Sequence, residues 1–367
     1  MWHRRDFLKT SLIVAAGWRT SAHAAPGDAI AWLKELQQPP AKLPSDPPLA
    51  PLLRTPDGQP ITTLDAWNQQ RAVIQARWRK FLGTMQAKRT AVPKLTVLAE
   101  DQIEGVLRQR VSYEVEPGLT NEAYLLRPAA KSSTKRAGVV VFHSTVNHSI
   151  DQPAGIQGEP AKAFGLQLAK QGMVTFCPRN YLWPTNDRID AKGEAAKFHQ
   201  REPNCQGMAK MLYDSQVALD ILAAQPDVDA ERLGAVGHSL GAKEALYLAA
   251  FDERVRAAVS SEGGIGIKLS NWHDAWYLGA DVQAKGFPLE HHELLALVAP
   301  RAFLLIGGDS ADGDRSWPFI AAALPVYQLS GQEAAQRVGF WNHHQGHSVP
   351  DEAVRRIGQW CERYLET

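Results

Sequence analysis

The pentapeptide Gly237-His238-Ser239-Leu240-Gly241 has the form G-x-S-x-G, and its flanks give it meaning. A short apolar run, Leu233 to Gly237, leads in, and Ala242-Lys243-Glu244-Ala245-Leu246 leads out with helical composition. A serine on a strand–turn–helix junction with small residues either side is raised above a sheet edge, where its hydroxyl can attack a carbonyl carbon. Such a hydroxyl needs a base within hydrogen-bond reach, and the base needs a third group to orient it. In chains built this way the order is serine, acid, histidine. The candidate bases are His273, His343, His344 and His347, and His347 is preferred. It sits in Gln345-Gly346-His347-Ser348, between the last predicted strand and a closing helix, where a loop can reach back over the serine. His343 and His344 are expected to pack locally, and His273 precedes the expected acid.

The loop Gly307-Gly308-Asp309-Ser310-Ala311-Asp312-Gly313-Asp314 offers three carboxylates, with Asp312 the first choice for the acid. Asp309 is read as a turn cap and Asp314 as a partner for Arg315. Glu262, at the end of the preceding predicted strand, is the alternative acid. A tetrahedral intermediate also needs two backbone N–H donors aimed at its oxyanion. Leu240, directly after the serine, is expected to give one, and Thr145, in the turn after Val139–Phe142, the other.

These residues must be carried by a frame that brings strand ends together. Two alternating segments, 110–116 and 122–128, are separated by Pro117-Gly118 and read as an antiparallel hairpin. Continuous apolar runs then appear at 138–142, 173–177, 233–237, 257–260, 302–306 and 338–341, with helical stretches at 159–171, 206–224, 241–250 and 351–365 between or after them. That alternation predicts an α/β chain: a mostly parallel twisted sheet with helices on both faces. Upstream, Leu64, Trp67, Ile74, Trp78, Phe81 and Leu82 fall at helical spacing between a Thr63 cap and Gly83. Residues 61–367 are therefore expected to form one domain with an N-terminal helical extension, and the Pro-rich residues 25–60 to run extended over its surface.

Residues 1–24 read as a twin-arginine export signal: Arg4-Arg5, then Phe7-Leu8, a short apolar run and Ala22-His23-Ala24. The apolar run is far below the roughly 20 residues that span a bilayer. The expected location is periplasmic or secreted from a bacterium, with no membrane anchor once the signal is removed. The 367 residues carry 40 Lys+Arg against 39 Asp+Glu, which gives no electrostatic reason to expect nucleic acid as a partner. Cys177, Cys205 and Cys361 are widely spaced, without a metal-binding pattern, and read as buried thiols with at most one bridge. No motif calls for a metal or an organic cofactor.

From about residue 55 onward the chain resembles the α/β-hydrolase fold, and within it bacterial acetyl xylan esterases and dienelactone hydrolase-like proteins. A local likeness to glucuronoyl esterases lies in Lys243 after the serine turn, in the spacing of Glu262 from Ser239, and in the segment Glu290–Arg301. The chain departs from that family in having Leu240 where the family has Arg, and Gly241 one place early. The resemblance implies carboxylic-ester hydrolysis and a substrate hydroxyl for Lys243 to touch.

The leading expectation is a serine esterase acting on an acylated or esterified carbohydrate, with a uronate-ester or lactone-type hydrolase as the alternative. Length counts against a propeller-gated peptidase, since the residues before Val139 are too few for even four blades. A non-catalytic binding protein is opposed by a serine, acids and a histidine in the expected order. The 11 Trp are numerous. Trp183, Trp272, Trp276, Trp317 and Trp341 all follow strands, and Trp183, Trp276 and Trp317 are expected to present flat faces to a sugar or aromatic group.

Overall fold

A computed structural model describes residues 31–366 apart from 44–46, 56 and 89–90. The export-signal reading falls on residues 1–24, outside the described residues. Nine strands form one sheet: β1 (Thr96–Ile103), β2 (Val106–Glu116), β3 (Leu119–Pro128), β4 (Arg136–Phe142), β5 (Val174–Pro178), β6 (Val228–His238), β7 (Val255–Ser261), β8 (Ala302–Gly307) and β9 (Val338–Asn342). The helices are α1 (Leu64–Leu82), α2 (Phe164–Lys170), α3 (Ala191–Arg201), α4 (Gly207–Ala223), α5 (Leu240–Phe251), α6 (His292–Val298), α7 (Trp317–Leu329), α8 (Gln332–Ala335) and α9 (Asp351–Leu365).

The strand order is β1-β2-β3-β5-β4-β6-β7-β8-β9, antiparallel from β1 through β5 and parallel from β5 through β9. Each parallel strand is apolar along its length because both faces are covered. On one face α2 and α9 pack together against the sheet; on the other, α4, α5 and α6 do so, with α1 laid over α4 and α6. The residues of α9 buried at Ala353, Ile357, Trp360, Cys361 and Leu365 recur at one helical face, as a one-sided helix requires. Helix α5, by contrast, is buried all round, which its Ala- and Leu-rich sequence permits.

The predicted cap and helix at residues 63–83 are present: the Thr63 hydroxyl accepts from Ala66 N, and Trp67 and Trp78 are core residues. The indole of Trp78 donates to Glu293 Oε2 at 2.7 Å and stacks on His291. Strand β1, exposed along nearly its whole length, has no amphipathic signature and lies outside the sequence expectation. The Pro-rich segment is not wholly a surface strap. Ala31–Gln37 forms a 3-10 helix with Trp32 and Leu36 buried, Trp32 stacking on Trp360. Two apolar side chains in a seven-residue stretch are enough to draw it into the core. The three cysteines are free and buried.

Strand order and register locate the working edge. From β4, the chain goes to β5 on one side and then returns to β6 on the other, so the carboxyl ends of β4 and β6 face each other across a topological switch. The pairs Phe142↔Gly237, Gly237↔Ser260, Ser260↔Leu305 and Leu305↔Phe340 form a single row across five strands. Every residue just past that row emerges at one edge of the sheet.

Candidate active site

Ser239 sits between β6 and α5 with φ 60° and ψ −117°, a conformation a side chain rarely adopts. Its N–H donates to Ser261 O at 2.8 Å, fixing the turn to the neighbouring strand. The flanking glycines are a steric necessity. A Cβ on Gly237 would lie 2.1 Å from Gly241 O, and one on Gly241 would lie 2.4 Å from Phe142 O. Leu240 is the first residue of α5, so its N–H belongs to the first turn, which has no acceptor within the helix, and the helix dipole adds positive potential there.

The loop after β4 faces this turn and is held at Ser144. The Ser144 N–H donates to Gln152 Oε1 at 2.9 Å, its carbonyl accepts from Val146 N at 2.9 Å, and its hydroxyl lies 3.0 Å from His238 Nδ1. Thr145, next in the loop, is exposed. His238 is buried, and desolvation holds its imidazole well below the ordinary histidine range, so it is neutral. The sequence shows His238 only as the x of the motif; its bond to Ser144 joins two loops 94 residues apart and had no local signal.

Glu262 and His347 meet. His347 Nδ1 lies 3.3 Å from Glu262 Oε2, with the carboxylate fully buried and the imidazole 43% exposed. Glu262 has φ 56°, and its carboxylate also accepts from the backbone N–H of Gly308, of Ala311 at 2.6 Å and of Asp312 at 3.4 Å. A carboxylate with this many donors stays fixed while it orients an imidazole. The His347 ring also packs 4.6 Å from that of His238, the residue before Ser239.

Asp312, the first choice from sequence, does not meet His347. Its two oxygens accept from Gly264 N at 2.7 Å and Ile265 N at 2.8 Å, and the Ser316 hydroxyl donates to it at 2.8 Å. It is turned inward under the loop after β7, where burial raises its pKa. The carboxylate that meets His347 is that of Glu262, one strand nearer the serine. Asp309 pairs with His344 at 2.7 Å, and Asn342 Nδ2 donates to both Asp309 and Asp314, at 2.6 and 2.8 Å. Asp314 is thus held by Asn342, and Arg315 donates to the carbonyls of Ser310 and Ala311 instead. Among the described residues, Asp309, Asp314 and His344 form one group whose potential ligand atoms lie within 4.8 Å of one another, with the Asn342 amide already among them. His343 is buried, its Nδ1 accepting from Gln345 N, and His273 is exposed in the loop after β7.

The expectations for Lys243, Trp183 and Trp317 are corrected. Lys243 is 3% exposed: its ammonium donates to Gly263 O and to Ser270 Oγ at 2.8 Å and lies over the Trp272 ring at 4.5 Å. Desolvation lowers its pKa to about 7. It braces the loop after β7 from beneath, because a helix packed on both sides leaves no route from Lys243 to solvent. Trp183 and Trp317 are buried rather than presented as platforms, and Trp183 donates to Val146 O at 2.8 Å while meeting His143 edge-on. Trp272 is buried over Lys243, and only Trp276 and Trp341 are half-exposed. The apolar area of these rings is worth more in the core than at the rim.

Comparison with known proteins agrees with this frame. The profile of the dienelactone hydrolase family matches residues 122–275, which include the serine turn and Glu262. YtaP of Bacillus subtilis (strain 168), a protein named as a hydrolase, is 30% identical over 163 residues, 41% of this chain. The match spans about half the length of that relative, 53%. Among solved structures, a glucuronoyl esterase from Solibacter usitatus superposes with a TM-score of 0.65 at 18% identity, over 89% of this chain and 100% of that one. A CE15 glucuronoyl esterase from Teredinibacter turnerae T7901 gives 0.62 at 22% identity, over 86% and 89%. The chain has the α/β-hydrolase fold, is related to dienelactone hydrolase-like proteins and is structurally close to CE15 glucuronoyl esterases.

Proposed function

We propose that this α/β-hydrolase chain is an exported serine esterase that cleaves carboxylic esters of carbohydrates through an acyl-enzyme. The observation that carries the reading is the His347–Glu262 contact beside the strained Ser239 turn, on adjacent strand ends. His347 takes the Ser239 proton as Oγ bonds to the carbonyl carbon, and Glu262 stabilises the imidazolium. The N–H groups of Leu240 and Thr145 receive the oxyanion. As the ester C–O bond breaks, the imidazolium returns its proton to the departing alcohol; water then repeats the sequence and frees the acid. A uronate-ester or lactone-type substrate is the second reading, favoured by the family match across residues 122–275.

Export rests on the twin-arginine pattern at Arg4-Arg5. No helix among the described residues is long and apolar enough to cross a membrane. The test is fluorophosphonate labelling of wild type and Ser239→Ala, followed by a panel of acetylated sugars, methyl uronates, feruloyl esters and aryl acetates. Labelling at Ser239 with turnover of a sugar ester is the expected result. An unlabelled, folded wild type would remove the esterase reading.

A further inference from the structure

A cavity of about 330 Å³ opens at the carboxyl end of β5 and the amino end of β3, within the roughly 300–1,000 Å³ of small-molecule pockets. Four cations line it, Arg179, Lys197, Arg201 and Lys210, against two acids, Glu194 and Asp214. Three of the cations are closely paired. Lys197 lies 2.7 Å from Glu194, Arg201 lies 2.9 Å from Glu116, and Lys210 lies 2.7 Å from Glu116 and 2.5 Å from Asp214. Arg179 differs. Its nearest carboxylate among the described residues is Glu122 at 4.0 Å, and its other contacts are the amide oxygens of Asn121 at 3.2 Å and Asn186 at 3.3 Å. Glu122 is itself engaged by Arg110 at 2.7 Å. Arg179 is also only 11% exposed, so its charge is largely desolvated, and it shares its one carboxylate partner among the described residues, Glu122, with Arg110.

A guanidinium in that condition is a site for a planar oxyanion, which its fork can grip at two points. Arg179 also lines a second cavity of about 640 Å³, where Glu122, Asp151 and Asp187 outnumber Arg110 and Arg179, so the anionic unit is placed in the first cavity. The wall that carries Arg179 is fastened to the site: the next residue, Asn180, donates its N–H to His143 Nε2 at 3.1 Å, on the loop that bears Thr145. Thr120, exposed in the same lining, offers a hydroxyl-binding group near the guanidinium.

We propose that Arg179 anchors a carboxylate-binding subsite that takes a uronate unit of an acidic oligosaccharide belonging to the ester substrate. The proposal rests on the carbohydrate-ester reading for its place in catalysis, but its ligand can be detected without turnover. Calorimetry on Ser239→Ala protein would compare a galacturonate trimer with a neutral galactose trimer. The acidic trimer should bind roughly 10- to 100-fold more tightly, the range for a charge-assisted contact, and lose part of that preference in high salt. Arg179→Gln should erase the preference; Arg179→Lys, which keeps a cation without the fork, should retain a reduced one. Equal binding of the two trimers, or a preference that survives Arg179→Gln in folded protein, overturns the subsite. If Arg179→Gln does not fold, the preference in Ser239→Ala and its reduction in Arg179→Lys decide the matter. Failure of the esterase reading is separate: Ser239 would then resist fluorophosphonate while the trimer preference persisted.

Discussion

Replacing Glu262 by Gln separates the two carboxylates near His347. In the native site the Glu262 carboxylate accepts from three backbone N–H groups and from His347 Nδ1 at 3.3 Å. Oε1 takes Gly308 and Oε2 takes Ala311, Asp312 and His347, so a Gln oxygen placed at Oε2 sets the NH₂ against Gly308 N, and one placed at Oε1 sets the NH₂ against Ala311, Asp312 and His347. Both settings remove the negative charge that stabilises the imidazolium, and the second also leaves the imidazole accepting at Nδ1 with its proton on Nε2, the atom that must take the serine proton. The corresponding wrong-tautomer change in a triad costs about 10⁴ in turnover. The contact here is longer than an ideal one and His347 is 43% exposed, so water shares in orienting the ring and screens the charge. A loss of roughly 100- to 1,000-fold in kcat is expected, about 3–4 kcal/mol of transition-state stabilisation, with KM unchanged. Asp312→Asn should behave differently: it forfeits one of the Gly264 and Ile265 contacts, costing about 1–3 kcal/mol of stability and less than about tenfold in kcat. The assay is aryl acetate turnover normalised to fluorophosphonate-titrated sites, with thermal melts of each variant. The reasoning is refuted if Asp312→Asn loses turnover 100-fold at unchanged melting temperature while Glu262→Gln stays within about tenfold of wild type.

Gly241→Ala should abolish labelling of Ser239, since its Cβ would meet Phe142 O at 2.4 Å; labelling at the wild-type rate would show that the turn tolerates it. His238→Phe removes the bond to Ser144, and we expect kcat to fall about tenfold with KM little changed, through misplacement of the loop bearing Thr145; a rise in KM alone would contradict this. Lys243 has its folded pKa lowered to about 7 from 10.5, so between these values the unfolded chain holds a proton that the folded chain has released, and stability should rise with pH across that window. The melting temperature of wild type relative to Lys243→Met should therefore climb from pH 7 to pH 10, and a flat difference would refute the assignment. Trp78→Phe leaves Glu293 Oε2 without its indole donor and should cost about 1–3 kcal/mol in denaturant unfolding; an unchanged midpoint would count against that bond.

Much of the frame was legible because parallel strands covered on both faces must be apolar throughout, and those runs match β4 through β9. The serine turn was legible because its steric demands are local: two glycines and a strand leading into a helix. Strand β1 was not, since an exposed edge strand carries no burial pattern. The acid was ambiguous for a spatial reason. Glu262 and Asp312 end neighbouring strands, and which one reaches His347 depends on how the two loops fold over each other, a relation spanning 85 residues for Glu262 and His347. The tryptophans misled because position after a strand says nothing about which way a ring turns. Trp183 and Trp317 turn inward.

Glu262 and Asp312 each hold the other's loop. Glu262 takes the N–H groups of Gly308, Ala311 and Asp312, while Asp312 takes those of Gly264 and Ile265. The two segments are therefore one mechanical unit, and neither can open alone without stripping a buried carboxylate of its donors. Their amide protons should exchange with solvent together, as a single cooperative opening. His347 leans on one member of this clasp, so the same opening would unlatch the imidazole from its support while the sheet beneath is still intact.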